Sequence, residues 1–295
     1  MSEFPPGPEL PENDAGEETS PLRYDDVTQD GRVRLEASWR PMGRQLWSRP
    51  EPSRVLGKLE HGVSTVLARV MMESSEIRVA PRAPVRTQVR FRFEHTVAKS
   101  GAPNRILLNT WTESTVANDD GGAVLLGRSY GQRVFQRIEG PPGGRTITRL
   151  EGLSDGVPAH RSDWEPVLSL LELPDGAEPL DAKPRLDSAR VVFGLSHTDG
   201  NQHVNFLAYP KLIEQAALGR FVDLGVGSRL IARRVELGYR IPAFAGDTLR
   251  VAVQAFRMDD AYGVIAAFVE PGGPETGDWA DFGAPRCIAC MTLRS

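Results

Sequence analysis

The sequence contains very little cysteine. Its 295 residues include only Cys287 and Cys290, which cannot form a disulfide framework. Their Cys-x-x-Cys spacing would need two further ligands to hold a zinc ion, and the sequence has no second pair. Both lie in an apolar run from Arg286 to Leu293 that predicts a terminal strand, so we interpret them as buried strand residues. We expect a cytoplasmic protein, because the cytosol keeps thiols reduced.

Long apolar runs and an excess of positive charge are also lacking. No stretch reaches the roughly 18 apolar residues that cross a bilayer. The N-terminus, Met1 to Pro6, lacks the basic and then apolar pattern of a secretion signal. The 35 basic residues are outnumbered by 39 acidic ones, for a net charge of −4. This balance does not favour a nucleic-acid partner, since phosphate binding leaves a basic footprint.

The first half of the chain divides into a tail, a folded unit and a connector. Residues 1–28 are acidic and rich in proline, which predicts a disordered tail. Residues 29–136 form the N-terminal unit: alternation predicts a strand at 32–39, and helical spacing predicts a helix at 55–72. Three alternating runs then predict an antiparallel meander: Val85–Phe93, Arg105–Val116 and Ala123–Phe135. Residues 137–187 read as a connector with one short helix, Trp164–Leu173.

The same order of elements returns in residues 188–295. An apolar strand at 189–195 precedes a helix at 209–224, whose apolar residues have helical spacing. Four strands follow: Leu230–Ile241, Thr248–Arg257, Gly263–Val269 and Arg286–Leu293. The repeated order predicts a duplication of structure more than of sequence. The expected fold class is α+β, with two units that each wrap an antiparallel sheet around a long helix.

The segment His197-Thr-Asp-Gly-Asn-Gln-His-Val-Asn205, just before the second-half helix, is the candidate active-site element. Asp199 could act as a base that activates water or as a direct nucleophile. Asn201 could orient the water or a carbonyl, and His203 could relay a proton near neutral pH. If the stretch is extended, residues 199, 201 and 203 share one face. The helix start beyond offers unpaired N–H groups. The alternative is that Asp and Asn only form a turn and cap the helix.

Both the order of elements and this segment resemble a known family. Asp199-Gly-Asn201-Gln-His203-Val-Asn205 closely resembles the Asp-x-Asn-Gln-His-Val-Asn signature of plant and bacterial acyl-ACP thioesterases. Those enzymes are double hotdogs whose catalytic residues lie in the C-terminal unit. The resemblance therefore implies a double hotdog with Asp199, Asn201 and His203 as catalytic residues. It is strong over about residues 191–240, and the first half fits only by architecture.

The chain departs from the family downstream of the motif. The plant enzymes continue with Leu-Glu-Tyr-Arg-Arg-Glu-Cys, in which the second Glu is catalytic. Here the stretch reads Leu237-Gly-Tyr239-Arg-Ile-Pro242-Ala243, so Pro and Ala replace Glu and Cys. The first half has Arg44 and Leu46 where the second has Asn201 and His203, which predicts a non-catalytic N-terminal unit.

Further residues are candidates for substrate contact. His197, Asn205 and Tyr239 lie in or near the motif stretch, and Arg233 and Arg234, like the neighbouring Arg229, could meet the phosphates of coenzyme A. The alternative for these arginines is a solvated strand edge. Glu214 on the helix is a reserve catalytic carboxylate, since some hotdog thioesterases use one there, or else a solvent-facing residue.

The expected function is hydrolysis of an acyl thioester on coenzyme A or an acyl carrier protein. No cofactor is expected beyond coenzyme A or phosphopantetheine as part of the substrate, and no metal. The expected assembly is a monomer or homodimer. Two alternatives stay open: dehydration, isomerisation or acyl transfer on a carrier-bound chain in a fatty-acid or polyketide pathway, and a non-catalytic acyl-binding role.

Overall fold

A computed structural model describes residues 3–9, 16–39, 49–118, 120–141, 144–153, 155–162 and 167–295. The chain divides into two compact units. The N-terminal unit is formed by Phe4–Val33 and Ala37–Glu165, and the C-terminal unit by Met1–Glu3, Arg34–Glu36 and Pro166–Ser295. The sheet of each unit is mainly antiparallel. None of the helices in the described ranges is long and apolar enough to span a membrane.

The described part of the N-terminal unit contains one short α-helix and a mainly antiparallel sheet. Its elements are β1 (Gly16–Pro21), α1 (Pro50–Leu56), β2 (Val63–Ser74), β3 (Pro84–Val97), β4 (Pro103–Ala117), β5 (Ala123–Arg137) and the two-residue β6 (His160–Arg161). The strand order is β1–β3–β4–β5–β2, and β6 runs parallel to β3. The three strands predicted at 85–93, 105–116 and 123–135 are confirmed as β3, β4 and β5, and each is longer than predicted.

Glycines let other segments lie directly on this sheet. Opposite pairing of Thr110 with Gly131 places both residues on one face, because side chains opposed across two strands point the same way. The Trp39 ring covers Gly131 so closely that a Cβ there would lie 2.6 Å from its Cη2 atom. Val55 of α1 is fully buried, and Gly152 packs against its backbone. The face of the sheet that carries Gly131 is therefore covered in part by the Trp39 segment from elsewhere in the unit.

Three predictions for the first half are wrong. Residues 63–74 form a strand instead of continuing a helix, and a register shift between Leu67 and Arg69 explains the error. A bulge moves apolar residues out of strict alternation, so their spacing imitates that of a helix. Residues 35–38 form a 3-10 turn, not a strand. Part of the predicted tail is ordered, because β1 pairs with β3 and Leu22 directly after it is buried. Arg44 and Leu46 lie outside the described residues.

The C-terminal unit places one long helix against its sheet. Its elements are β7 (Glu178–Pro179), β8 (Arg185–Val192), α2 (Ala208–Asp223), β9 (Ile231–Tyr239), β10 (Thr248–Met258), β11 (Ala261–Val269) and β12 (Cys287–Arg294). The order is β9–β12–β11–β10, and both β7 and β8 pair with the free side of β10. Helix α2 contacts β8, β10, β11 and β12. It buries one stripe of side chains: Tyr209, Ile213, Ala216, Ala217 and Phe221.

Most second-half predictions are confirmed. Helix α2 and strands β9 to β12 lie within two residues of the predicted bounds, and β8 covers part of the strand predicted at 189–195. Cys287 and Cys290 are both free and buried in β12. Val167–Leu171 form a 3-10 helix where a short helix was predicted, and residues 164–166 of that prediction lie outside the described residues. In each unit a helix precedes four strands with the same neighbours, since β2–β5–β4–β3 matches β9–β12–β11–β10.

Candidate active site

The motif segment forms a tight loop between β8 and α2. Thr198 and Val204 pair as an isolated antiparallel bridge, and the chain reverses between them. The N–H of Gln202 donates to the Asp199 carbonyl at 2.9 Å, and Gln202 has a left-handed φ of 64°. Because of this turn, the prediction that 199, 201 and 203 alternate along an extended strand is wrong. The three residues instead surround one reversal of the chain.

Both carboxylate oxygens of Asp199 have a donor within the loop. Oδ1 accepts the N–H of Asn201 at 2.9 Å, and Oδ2 accepts the Asn205 side-chain amide at 3.1 Å. The first contact is an Asx turn, which Asp forms readily in loops. Asp199 is half-buried, so the carboxylate is oriented but still reachable from solvent.

Asn205 connects this turn to the start of the helix. Its Oδ1 accepts the N–H of Leu207 at 2.9 Å, and its carbonyl accepts that of Ala208 at 3.0 Å. Its own N–H donates to the His197 carbonyl at 2.8 Å. Pro210 has no N–H to offer. The helix start therefore has fewer unpaired donors than expected, because Asn205 satisfies two of them.

The remaining polar side chains of the loop differ in how they are held. Asn201 is exposed and His203 half-buried, and within the described residues neither side chain has a hydrogen-bond partner. The ring of His197 is fixed instead, because its Nδ1 accepts the N–H of Gly194 at 3.0 Å. An amide N–H can only donate, so Nδ1 is the unprotonated nitrogen when this bond is formed. Asn201 and His203 are thus the side chains that remain available to a ligand.

A cluster of aromatic side chains packs against the Asp199 loop through the ring of His197. The ring of Phe193 lies 5.7 Å from that of His197 and 5.8 Å from that of Tyr209. Tyr209 also makes edge contacts with Phe268 at 4.9 Å and with Tyr239 at 5.5 Å. The Tyr239 hydroxyl donates to the carbonyl of Phe206 at 3.1 Å, and burial raises the pKa of both tyrosines. Tyr239 therefore anchors the chain that enters α2.

The stretch that departs from the thioesterase pattern lies directly beside the motif. The N–H of Val204 donates to the Ala243 carbonyl at 2.7 Å. The Arg286 guanidinium donates to the Pro242 carbonyl at 2.8 Å and contacts Asp247 at 3.2 Å. Sequence reasoning missed Arg286 and Asp247, because 39 residues separate them and neither belongs to a motif. The position of the absent glutamate is thus next to the motif, but it holds an exposed proline.

A second group of charged side chains lies near the middle of α2. Glu214 is half-buried and accepts the N–H of Ala232 at 3.0 Å, so it joins the helix to β9 and does not face solvent. Sequence reasoning also missed Glu36. Burial raises the pKa of its carboxyl, the charge of Glu214 adds to the effect, and Lys211 and Arg34 oppose it. Glu36 and Glu214 thus form an acidic pair, and the only sequence signal for it was the Glu214 position.

The arginines predicted to meet phosphates are less exposed than expected. Arg233 is 5% exposed, and Arg234 is half-buried on the opposite side of β9. Arg229, just before the strand, is exposed. The three arginines therefore do not form a solvated strand edge, because Arg229 is the one of the three that is exposed.

No protein-family model matches the sequence, and no curated protein matches it significantly. Solved structures do resemble it. A proposed oleoyl thioesterase from Lactobacillus plantarum has a TM-score of 0.59 and 15% identity, covering 95% of this chain and 96% of the other. An acyl-ACP thioesterase from Bacteroides thetaiotaomicron gives 0.57 and 16%, covering 96% and 99%. The 12:0-ACP thioesterase from Umbellularia californica gives 0.55 and 12%, covering 97% and 99%. The chain therefore shares the hotdog-type fold of these three proteins over nearly its whole length.

Proposed function

We propose that the protein is a double-hotdog hydrolase that cleaves acyl thioesters carried by coenzyme A or an acyl carrier protein. The main support is the position of the Asp199 loop: it precedes the long helix of a fold that three thioesterases share end to end. Residues 188–295 would be the catalytic unit and residues 29–136 the non-catalytic one. A cytoplasmic location and a monomeric or homodimeric state remain expectations.

Asp199 would act as the general base. Its Asx turn and the Asn205 amide fix the direction of the carboxylate, so one face can accept a proton from water. The resulting hydroxide adds to the thioester carbonyl, and the C–S bond then breaks to give a carboxylic acid and a thiol. His203, whose side chain has no hydrogen-bond partner in the described part of the chain, would deliver a proton to the leaving sulfur.

The developing oxyanion needs a donor other than the first helical N–H groups. Asn205 already occupies those of Leu207 and Ala208. The exposed side-chain amide of Asn201 would serve instead. His197, Asn205 and Tyr239 would hold the backbone around the substrate. Arg233 and Arg234 would contact the phosphates of the substrate if its coenzyme A or phosphopantetheine group binds against β9.

Thiol release from a panel of acyl-CoA and acyl-carrier thioesters tests the proposal. Asp199→Asn should lower kcat at least 100-fold, since general base catalysis contributes about 10²–10⁴. Asp175→Asn, at an exposed turn aspartate, is the matched control and should retain full activity. Undiminished turnover in Asp199→Asn would exclude Asp199 as the base.

A double variant separates catalysis from loop structure. Asp199→Asn combined with Asn205→Asp exchanges donor and acceptor, so the hydrogen bond between the two side chains survives while the carboxylate moves to residue 205. The double variant should regain the thermal stability that Asp199→Asn loses, but not its activity. Recovery of both would mean that the motif aspartate is structural.

One observation favours a non-catalytic acyl-binding protein as a second candidate. Both oxygens of Asp199 serve the turn, and Pro242 stands where the plant enzymes have glutamate. Product mass distinguishes the candidates in the same assay. Tight retention of intact thioester supports the binding protein, whereas loss or gain of one water with the thioester intact indicates hydration chemistry.

A further inference from the structure

Arg133 is an enclosed arginine for which the described residues provide no acidic partner. It lies on β5 of the N-terminal unit, opposite Leu108 on β4 and Leu67 on β2. Its Nη1 donates to the Thr110 hydroxyl at 3.2 Å, and its guanidinium carbon lies 6.0 Å from the centre of the Trp39 ring. Burial lowers the pKa of Arg133 to about 10, and the described residues supply no carboxylate to offset that burial.

Other arginines of the same strand are paired. Arg128 contacts Glu73 at 2.8 Å, and Arg137 contacts Glu60 at 2.7 Å. Both pairs lie nearer the surface than Arg133, where an ion pair matters least. The strand thus places its unpaired guanidinium at its most enclosed position. A buried charge without a counter-charge is costly, and the described residues provide none for Arg133, which points to a counter-charge on a bound ligand.

The face of the sheet around Arg133 carries polar side chains beside Leu67 and Leu108 and is incompletely covered. Although it lies deep in the unit, the Arg133 side chain is only half-buried, so part of its surface is free of protein atoms. Thr112 and Ser129 pair with each other farther along the same face. Each is 1% exposed, and the hydroxyl of each lacks a hydrogen-bond partner. This face therefore carries two hydroxyls without a hydrogen-bond partner besides the Arg133 guanidinium.

We propose that Arg133, Thr110 and the Trp39 ring form a binding site for a carboxylate-bearing ligand within the N-terminal unit. The planar fork of a guanidinium matches a carboxylate in two parallel hydrogen bonds. Thr110 holds one side of the fork, and Trp39 limits the approach to one direction. The site contains no residue of the Asp199 loop, so its occupancy does not depend on the proposed hydrolysis.

Calorimetric titration of the full chain with sodium butanoate and sodium octanoate tests the site. Saturable binding of at least one acid is expected, with no binding of butan-1-ol or octan-1-ol at the same concentration. Arg133→Gln should weaken binding at least tenfold, and Arg133→Lys should weaken it less, because it keeps the charge but loses the fork. Arg137→Gln, on the same strand, is the control and should bind as the unaltered protein does. Absence of binding by the unaltered protein, or equal binding by Arg133→Gln, would overturn the proposal.

Thermal stability without ligand gives a second readout. Arg133→Met replaces an uncompensated cation by an apolar side chain, so its Tm should equal or exceed that of the unaltered protein. Octanoate should raise the Tm of the unaltered protein and not that of Arg133→Met. A lower Tm for Arg133→Met together with an unchanged octanoate shift would show that Arg133 is merely structural and would refute the site.

Discussion

The ion pair between Asp181 and Arg220 gives the sharpest test of how the C-terminal unit is held together. The Nε of Arg220 lies 3.1 Å from each carboxylate oxygen of Asp181, and Nη2 of Arg220 donates to Oδ1. The Asp181 carboxylate also accepts the N–H of Ala255 at 2.9 Å. The two side chains are only 4% and 13% exposed. The pair therefore joins the end of α2 to β10 through Asp181, the second residue after β7.

Asp181→Ala should destabilise the protein by about 3–5 kcal/mol, the usual cost of removing one partner of a buried pair. The Arg220 guanidinium, whose pKa Asp181 raises, would remain buried without its main acceptor. For a unit of this size such a loss lowers Tm by roughly 10 °C. Asp223→Ala is the matched control, because Asp223 contacts the same arginine at 3.7 Å and is 71% exposed. It should cost no more than about 0.5 kcal/mol.

Urea denaturation at neutral pH, followed by circular dichroism, measures both variants. Replacing the pair by Asp181→Leu and Arg220→Met should recover most of the loss, since no charge stays buried and only the Ala255 N–H lacks an acceptor. If Asp181→Ala costs as little as Asp223→Ala, the buried pair does not hold α2 in place and the reasoning fails.

Three further predictions concern burial elsewhere. Glu36→Gln should stabilise the protein near pH 7 and have little effect below about pH 4. Folding raises the pKa of the Glu36 carboxyl, so the native protein loses stability as the pH rises and this group ionises. Urea midpoints measured against pH test this, and stabilisation at low pH alone would contradict it. Gly263→Ala should lower the free energy of unfolding by about 1–3 kcal/mol, since the new Cβ would lie 2.2 Å from Phe256 and 2.8 Å from the Met291 carbonyl. Gly219→Ala, at an exposed position of α2, should raise it by about 0.5–1 kcal/mol. Tm values that rank the two variants the other way would contradict this packing. Neither cysteine should react with a thiol reagent at pH 8 until the protein unfolds, because burial raises the pKa of both and that of Cys290 to about 12; rapid labelling of the native protein would be inconsistent with their burial.

The elements that sequence predicted well are those with one uninterrupted period. Helix α2 repeats buried residues from Tyr209 to Phe221 at helical spacing, and β10 to β12 are long apolar runs bounded by turn residues such as Gly246 and Asp259-Asp260. The prediction failed at β2, where the bulge near Leu67 breaks the alternation. It also failed at β1, where basic residues of the neighbouring strand β3 compensate the acidic charge. One example is Arg86, whose Nε donates to the Glu17 carboxylate at 2.6 Å. Neither effect can be seen within one segment.

For the candidate site, the sequence by itself determined which residues are involved and where they lie along the chain. The string from His197 to Asn205 and the helix after it are local features, set by residue type and short spacing. Only the tertiary structure decided how those side chains are used. It turned the Asp199 carboxylate toward Asn205, placed Pro242 beside the loop, and gave Arg133 no acidic partner among the described residues. The physical reason is that hydrogen bonds and charge compensation depend on groups that are distant in sequence, and only folding brings those groups together.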